Sequence, residues 1–193
     1  MIPIMLDPSK LSIGLVGRGG LTTGRLSWLR DGGAETIVFS DQPEASLVRE
    51  AGGALVRRLP SETDLARLSV LWIADLPEEQ AEPLVDAARR AGVLVNWEDV
   101  KPACDFHNPA FVRRGDLLLS ISTGGKSPGL ASRLRRMFEA MFGDEWQGRL
   151  DKIAAKRIEW KQTSPDLDEL AHLTNAFVDR KEWLPPEAPE ARQ

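Results

Sequence analysis

The chain of 193 residues has one cysteine, no tyrosine, two histidines and no surplus of positive charge. A single cysteine, Cys104, cannot form a disulfide within the chain, so nothing in the sequence favours an oxidising compartment. The formal net charge of -4 disfavours a general nucleic-acid-binding protein, because neutralising phosphates requires an excess of lysine and arginine. Any anion-binding site must therefore be local.

Long apolar runs are also missing. Residues 1–6 are apolar, but Asp7 and Lys10 follow them and no basic leader precedes them, which does not fit a signal peptide. The apolar run that begins at Leu11 ends at Arg18, far short of the about 20 apolar residues that a membrane span requires. We therefore expect a cytoplasmic protein whose partners include neither a membrane nor a nucleic acid.

Strand-like and helix-like stretches alternate over the first half of the chain. Strands are predicted over 11–17, 36–39, 54–59, 70–74 and 93–96, and helices over 21–30, 43–51 and 78–91. Strict alternation of this kind predicts an α/β domain with a doubly wound parallel sheet.

The pattern changes after residues 102–109. Two strands are predicted within 111–123, turned at residues 113–116, and helices over 146–160 and 167–180. Ser127 and Pro128 suit the start of another helix. Its apolar stripe, which needs a partner surface, consists of Leu130, Leu134, Met137, Phe138 and Met141. The tail 184–193, rich in proline and glutamate, is predicted to be disordered.

A glycine turn follows the first predicted strand and opens a helix, as a dinucleotide fingerprint does. Its residues are Gly17, Arg18, Gly19, Gly20, Leu21 and Thr22. Such a turn lets backbone amides approach a pyrophosphate, whose charge the helix start stabilises. Thr22 stands where glycine or alanine is expected, and we expect it to crowd the helix against the sheet. Asp41, after the second strand, favours NAD over NADP. The alternative is a glycine turn without a nucleotide.

A second glycine turn, residues 122–128, precedes the basic helix. It resembles the end of a nucleotide-binding P-loop, but Ser120 stands where that motif requires glycine. We interpret Gly124, Gly125, Lys126 and Ser127 as an anion-binding turn with free amides and a nearby cation. Local positive charge is added by Arg113, Arg114, Arg133 and Arg136. A solvated basic face with a helix cap is the alternative.

Asp99 is the candidate general base. It lies just after a predicted parallel strand, where open α/β sheets bind their ligands. The alternative is a solvated loop carboxylate. Most of the six tryptophans are interpreted as packing residues, with Trp97 set apart because it lies near Asp99. His107 follows in the same loop, where a packing or surface histidine is favoured over a metal ligand or an acid.

Several segments together resemble a known family. They are Val95-Asn96-Trp97-Glu98-Asp99, Cys104-Asp105-Phe106, Pro109-Ala110, Arg114-Gly115 and Ile121 to Ala131, the last containing Ser122-Thr123-Gly124-Gly125-Lys126-Ser127-Pro128. This arrangement resembles the amino-terminal module of siroheme synthases, a family of precorrin-2 dehydrogenases that are often also sirohydrochlorin ferrochelatases. The match is strongest over 96–139 and weaker over 11–74. The resemblance implies a Rossmann-like NAD-binding domain over 1–108, a dimerisation region over 109–145 and a helical part over 146–183.

The resemblance also implies an activity. NAD oxidises precorrin-2 to sirohydrochlorin in this family, and many members then insert ferrous iron, a substrate that needs no permanent metal site. Asp99 matches the shared general base. Cofactor contacts are implied for the first glycine turn and for Asp41, Gln42, Ala74 and Asp75. Tetrapyrrole contacts are implied for Asn96, Thr123, Gly124, Gly125, Lys126 and Ser127. A homodimer is implied as well.

This chain departs from the family pattern at Arg18, at Thr22 and at Gly24-Arg25 in the first turn, and at Asp75 after the fourth strand. These departures keep other interpretations open. One is a non-catalytic protein that binds a tetrapyrrole or senses a dinucleotide. Another is a chelatase without dehydrogenase activity, and a third is an unrelated Rossmann-type regulator.

Overall fold

The computed structural model describes residues 1–163 and 166–185, and the chain divides into two units, Met1–Asn108 and Pro109–Gln193. Most of the tail that the sequence predicts to be disordered, residues 186–193, lies outside the described residues. Among the residues that are described, no helix combines the length and apolarity needed to cross a membrane. The finer division of the chain into four parts stays a prediction.

Within residues 1–108, all of which the structure describes, five strands alternate with four helices. They are β1 (Ile13–Val16), α1 (Gly20–Asp31), β2 (Thr36–Phe39), α2 (Ala45–Ala51), β3 (Leu55–Val56), α3 (Glu62–Leu65), β4 (Val70–Ile73), α4 (Glu78–Arg90) and β5 (Leu94–Trp97). The strands form one parallel sheet in the order β3-β2-β1-β4-β5. The predicted doubly wound parallel sheet is confirmed. Its strand order reverses between β1 and β4, where such folds form their ligand crevice.

Burial explains why these segments are strands. Every residue of β1 and β4 is buried, as central strands covered on both faces require. One core cluster joins the sheet to α1 and α2 through residues such as Leu26 and Leu47. A second cluster joins it to α3 and α4 through Leu65 and Val85. Helices therefore cover the sheet through two separate sets of apolar side chains.

Two elements differ from the prediction. The third strand, predicted over 54–59, has only two residues. The short helix α3 was not predicted, although Ser61 and Asp64 carry its signal in the sequence. They form a capping box, in which each side chain accepts a hydrogen bond from the other residue's backbone amide. A hydrogen bond from Arg58 holds the pKa of the Asp64 carboxyl far below its usual range.

The second unit pairs a hairpin with helices. Its described elements are β6 (Ala110–Arg114), β7 (Leu117–Ile121), α5 (Pro128–Met141), α6 (Glu145–Trp160) and α7 (Leu167–Arg180). The hairpin strands are antiparallel, α5 and α6 lie against both of them, and α7 packs on α6. Arg113 and Arg114 belong to β6, so the turn is shorter than predicted and is made by Gly115, at φ 59°, and Asp116.

The apolar stripe of α5 is only partly covered. This helix has no buried residue, and Leu130, Met137 and Met141 keep 49%, 47% and 56% of their surface exposed. A helix with such a stripe needs a further partner to bury it. The assignment of 109–145 as a dimerisation region stays a prediction.

Candidate functional site

The carboxyl ends of β1, β4 and β5 bring three predicted site segments to one edge of the sheet. The first glycine turn follows β1, Ala74 and Asp75 follow β4, and Asp99 lies two residues beyond β5. Neighbouring parallel strands end at the same edge, which is where open α/β sheets bind ligands. The fold thus gathers the predicted cofactor residues and the predicted base on one side of the domain.

The first turn depends on a glycine at its first position. A β-carbon on Gly17 would lie 2.0 Å from Oγ1 of Thr22 and 2.2 Å from the carbonyl oxygen of Ala74. By contrast, a β-carbon on Gly20 would meet nothing within 4 Å. Gly17 therefore lets the start of α1 lie directly against the end of β4, and the next residue of α1, Leu21, remains 54% exposed.

Thr22 fills the contact that Gly17 leaves open. The side chain is fully buried, and its hydroxyl lies 3.0 Å from Oδ2 of Asp75 and 3.3 Å from the carbonyl oxygen of Ala74. One hydroxyl proton serves one of these acceptors at a time. The expectation that Thr22 would crowd the helix against the sheet is wrong, because the threonine is accommodated as a buried hydrogen-bonding residue.

Asp75 supplies the cap that α1 lacks in its own sequence. Gly19 is the N-cap of α1 and offers no side chain, so the first amides of the helix need another acceptor. Oδ2 of Asp75 accepts hydrogen bonds from the backbone N–H groups of Gly19, at 3.2 Å, and Thr22, at 2.8 Å. The anion position at this helix start is therefore held by a carboxylate of the chain itself.

Arg18 and Asp41 form an ion pair beside the same turn. Nε and Nη2 of Arg18 donate to the two carboxylate oxygens of Asp41 at 2.8 and 2.7 Å, and Nη2 also donates to Oε1 of Gln80 at 2.6 Å. The hydrogen bond from Arg18 lowers the pKa of the Asp41 carboxyl. The carboxylate expected to meet a ribose hydroxyl is thus already paired, and Gln42 beside it is exposed. Their contacts with a cofactor stay predictions.

Asp99 is exposed and has an unusual backbone conformation. Its backbone φ is 65°, and Asp75, which follows β4, has a φ of 53°. Both residues therefore have a left-handed backbone conformation. Residues held there cluster at functional sites. The neighbouring Glu98 is bound by Arg25 through an ion pair of 2.6 Å. Trp97, set apart in the sequence, is only 8% exposed and belongs to the core, so the packing interpretation extends to it.

Asn96 organises the loop that follows Asp99. It is 5% exposed, its Nδ2 donates to the carbonyl oxygen of Phe106 at 2.8 Å, and its Oδ1 accepts from Nδ2 of Asn108 at 3.3 Å. Cys104 in this loop is half-buried, and burial raises the pKa of its thiol. His107 is exposed. The role predicted for Asn96 in substrate binding stays a prediction.

The second glycine turn lies in the second unit and is closed by neighbouring hydroxyls. Gly124 and Gly125 have φ values of 62° and 74°, which glycine adopts without strain. Oγ of Ser122 accepts from the N–H of Gly124 at 3.2 Å. Oγ1 of Thr123 accepts from the N–H of Ser127 at 3.3 Å. The turn is therefore held by short-range bonds from uncharged groups.

The same turn carries one charged side chain. Oγ of Ser127 accepts from the N–H of Leu130 at 3.2 Å and caps α5, as predicted from the sequence. Lys126 lies between the glycines and this cap, and it is exposed. An ammonium group beside a helix start can attract an anion, so the arrangement suits the anionic ligand that the sequence suggests.

Three of the contacts near the first glycine turn that the sequence did not predict join residues far apart in the chain. They are the cap from Asp75 to α1, the bond from Arg18 to Gln80 and the ion pair between Arg25 and Glu98. Each joins residues more than fifty positions apart, which the parallel sheet brings together. The only signal in the sequence was the departure from the family pattern at Arg18, Arg25 and Asp75.

Comparisons with known proteins identify relatives of both parts of the chain. Residues 4–110 match a family model described as NAD(P)-binding, and residues 114–141 match one described as the central part of sirohaem biosynthesis proteins. The siroheme synthase of Methylococcus capsulatus is 33% identical over 169 residues, covering 86% of this chain and 35% of that protein. The siroheme biosynthesis protein met8 of Schizosaccharomyces pombe is 26% identical over 212 residues, covering 93% of this chain and 78% of that protein.

A solved structure of SirC, a precorrin-2 dehydrogenase, has the same fold. It matches with a TM-score of 0.75 and 24% identity, covering 95% of this chain and 92% of that one. The chain spans about a third of the length of the siroheme synthases that it matches. Because the NAD(P)-binding model covers residues 4–110, more than half of the chain, the protein belongs to that NAD(P)-binding family.

Proposed function

We propose that this protein is a precorrin-2 dehydrogenase of siroheme biosynthesis, oxidising precorrin-2 to sirohydrochlorin with NAD, and that it then inserts ferrous iron. The observation that carries the proposal is the exposed carboxylate of Asp99, which lies at the same edge of the sheet as the first glycine turn. The backbone of Asp99 is held at a φ of 65°. Membership of the NAD(P)-binding family and the match to sirohaem biosynthesis proteins supply the substrate class.

Asp99 acts as the proton acceptor in this proposal. Oxidation of precorrin-2 would transfer a hydride to NAD and release a proton from the macrocycle, and entry of a ferrous ion would displace two pyrrole N–H protons. A carboxylate within hydrogen-bond reach of these positions can accept them. Arg25 binds the adjacent Glu98, which leaves Asp99 as the exposed acid directly after β5. One carboxylate therefore serves both reactions, with iron as a substrate rather than a resident cofactor.

The backbone of the first turn suits a dinucleotide, but a side chain beside it does not. Strand, glycine turn and helix follow the required order, and Gly17 permits the close approach of helix to sheet. The amides of Gly19 and Thr22, however, are held by Asp75. A pyrophosphate needs these amides, so it does not fit while the Asp75 carboxylate occupies them.

That occupied helix start favours a second candidate function. A chain whose turn no longer takes a dinucleotide would bind a tetrapyrrole or insert iron without oxidising the macrocycle. Asp99 and the cationic turn at Lys126 would serve that function equally well, because neither depends on the dinucleotide. The oxidation of precorrin-2 is the step that separates the first candidate from the second.

An anaerobic incubation with precorrin-2, NAD and then ferrous iron separates them. We expect the absorption of sirohydrochlorin to appear only with NAD, followed by an iron-dependent change faster than the protein-free rate. Asp99→Asn should lower both rates at least about 100-fold, a typical contribution of a general base. Asp86→Asn, which changes an exposed carboxylate on α4, is the matched control and should leave both rates unchanged. Full turnover by Asp99→Asn would contradict the assignment of the base.

We also propose that the chain works as a cytoplasmic homodimer that buries the stripe of α5. The half-exposed Leu130, Met137 and Met141 lie at spacings that place them on one face of the helix. A second copy of the chain would remove this apolar surface from water. Sedimentation equilibrium should give the mass of two chains, and Met137→Glu should shift it toward one. A single-chain mass for the unaltered protein would contradict the dimer.

A further inference from the structure

The amides that cap α1 can bind one anion at a time. The N–H groups of Gly19 and Thr22 each have a single hydrogen, and both point to Oδ2 of Asp75. A pyrophosphate bound at this helix start would use the same hydrogens. Asp75 and a dinucleotide are therefore alternatives at one position, and neither can bind there while the other does.

Charge makes the competition stronger. A β-carbon on Gly19 would lie 3.1 Å from Oε1 of Glu44 and 3.2 Å from Oδ2 of Asp75, so two carboxylates approach the turn. Arg18, the cation of the turn itself, is bound by Asp41 and Gln80. A pyrophosphate reaching the amides would meet like charges that this arginine, being already paired, does not offset.

We propose that Asp75 is an intramolecular competitor that sets the affinity of this protein for the dinucleotide. The inference rests on the proposed use of NAD. In the closed state the carboxylate caps α1. In the open state the side chain has rotated away and the amides receive the pyrophosphate. The apparent dissociation constant of a ligand rises in inverse proportion to the fraction of molecules in the competent state.

The position of Asp75 permits such a rotation. The residue is half-buried, and the segment that follows it begins with the half-buried Leu76 and the exposed Pro77, so the carboxylate can turn toward water. Its φ of 53° is uncommon for a residue other than glycine, and it persists where surrounding contacts hold the backbone. The bonds to Gly19 and Thr22 are such contacts. Asp75 thus determines affinity by occupying the cofactor position, without taking part in the chemistry.

Calorimetric titration of NAD into a set of variants tests this. Asp75→Ala removes the competing carboxylate, and we expect its NAD dissociation constant to be at least about tenfold lower than that of the unaltered protein, as for a competent fraction near one tenth. Asp75→Asn keeps an oxygen acceptor but loses the charge, and an intermediate value is expected. Glu44→Gln is the matched control, since it removes a nearby charge without freeing an amide. Its dissociation constant should change less than about threefold, as for an exposed charge in salt.

Equal dissociation constants for Asp75→Ala and the unaltered protein would overturn the inference. So would an equal gain from Glu44→Gln, because general charge rather than the amides would then explain the effect. If circular dichroism shows that Asp75→Ala is unfolded, Asp75→Asn becomes the deciding variant. It must then bind NAD more tightly than the unaltered protein. Tighter NAD binding by the Asp75 variants, together with no oxidation of precorrin-2 by the unaltered protein or by the variants, would support the inference and reject the proposed dehydrogenase.

Discussion

The two glycine turns of this protein cap the helices that follow them with different chemical groups. Each opens a helix, and each must satisfy backbone amides that have no partner within the helix. The first turn uses a carboxylate from Asp75, which lies 53 positions beyond Thr22. The second uses the hydroxyls of Ser122, Thr123 and Ser127, which lie within a few residues of the amides they bind.

This difference decides what each helix start offers to a ligand. A charged cap places a negative group where an anion would bind, whereas hydroxyl caps leave the position uncharged. The second turn adds the exposed ammonium of Lys126. We therefore expect the two turns to respond with opposite sign. Removing the charged side chain should strengthen anion binding at the first turn and weaken it at the second.

The largest effect should come from changing the backbone of the first turn. Gly17→Ala places a β-carbon against Thr22 and the carbonyl of Ala74, both of which belong to the buried contact between α1 and β4. Because neither the buried threonine nor the buried backbone at Ala74 can move freely, we expect the free energy of unfolding to fall by about 2–3 kcal/mol. Urea unfolding followed by circular dichroism measures it.

The same helix provides the control for that change. Gly24 lies in the interior of α1, and a β-carbon there would meet nothing within 4 Å. Gly24→Ala should therefore raise stability, by up to about 1 kcal/mol, through helix propensity alone. Equal stability of Gly17→Ala and the unaltered protein would mean that the first turn does not pack tightly against the sheet. The contrast between the first turn, capped by the distant Asp75, and the second turn, capped by nearby hydroxyls, would then be weaker.

Periodicity was sufficient to predict the framework of the first unit. Strand β2 was predicted at its observed bounds, and the other strands of the sheet differ by a few residues at their ends. Central parallel strands are apolar on both faces, which makes their signal strong. The short helix α3 was missed, because a single turn carries too few residues for a periodic pattern and its capping box was the only available signal.

The candidate site was predictable in its positions but not in its pairings. The structure places Asp99 after a strand, and Lys126 and the glycines before helices, as the sequence predicts, while their roles stay predictions. That Asp41 would bind Arg18 and that Asp75 would cap α1 depends on which side chains the sheet brings together, and local patterns do not contain this information. Thr22 was misjudged for the same reason, since its size mattered less than the acceptors it meets.

A smaller effect, of opposite sign to that at Asp75, should follow from the charge of the second turn. Lys126→Ala removes the exposed ammonium but leaves the hydroxyl caps in place. We expect the dissociation constant of sirohydrochlorin, followed by quenching of tryptophan fluorescence, to rise about fivefold, because a single exposed charge contributes about 1 kcal/mol or less. Lys161→Ala, an exposed lysine at the end of α6, should change it little.

Salt distinguishes this electrostatic effect from a structural one. At about 1 M salt the Debye length falls to about 3 Å, so an exposed ammonium no longer attracts a carboxylate at longer range. The difference between Lys126→Ala and the unaltered protein should then nearly vanish, and Lys126→Arg should bind like the unaltered protein at both salt concentrations. A fivefold difference that persisted at high salt would mean that Lys126 shapes the turn rather than attracts the ligand. The two turns would then differ in geometry instead of in the sign of their charge.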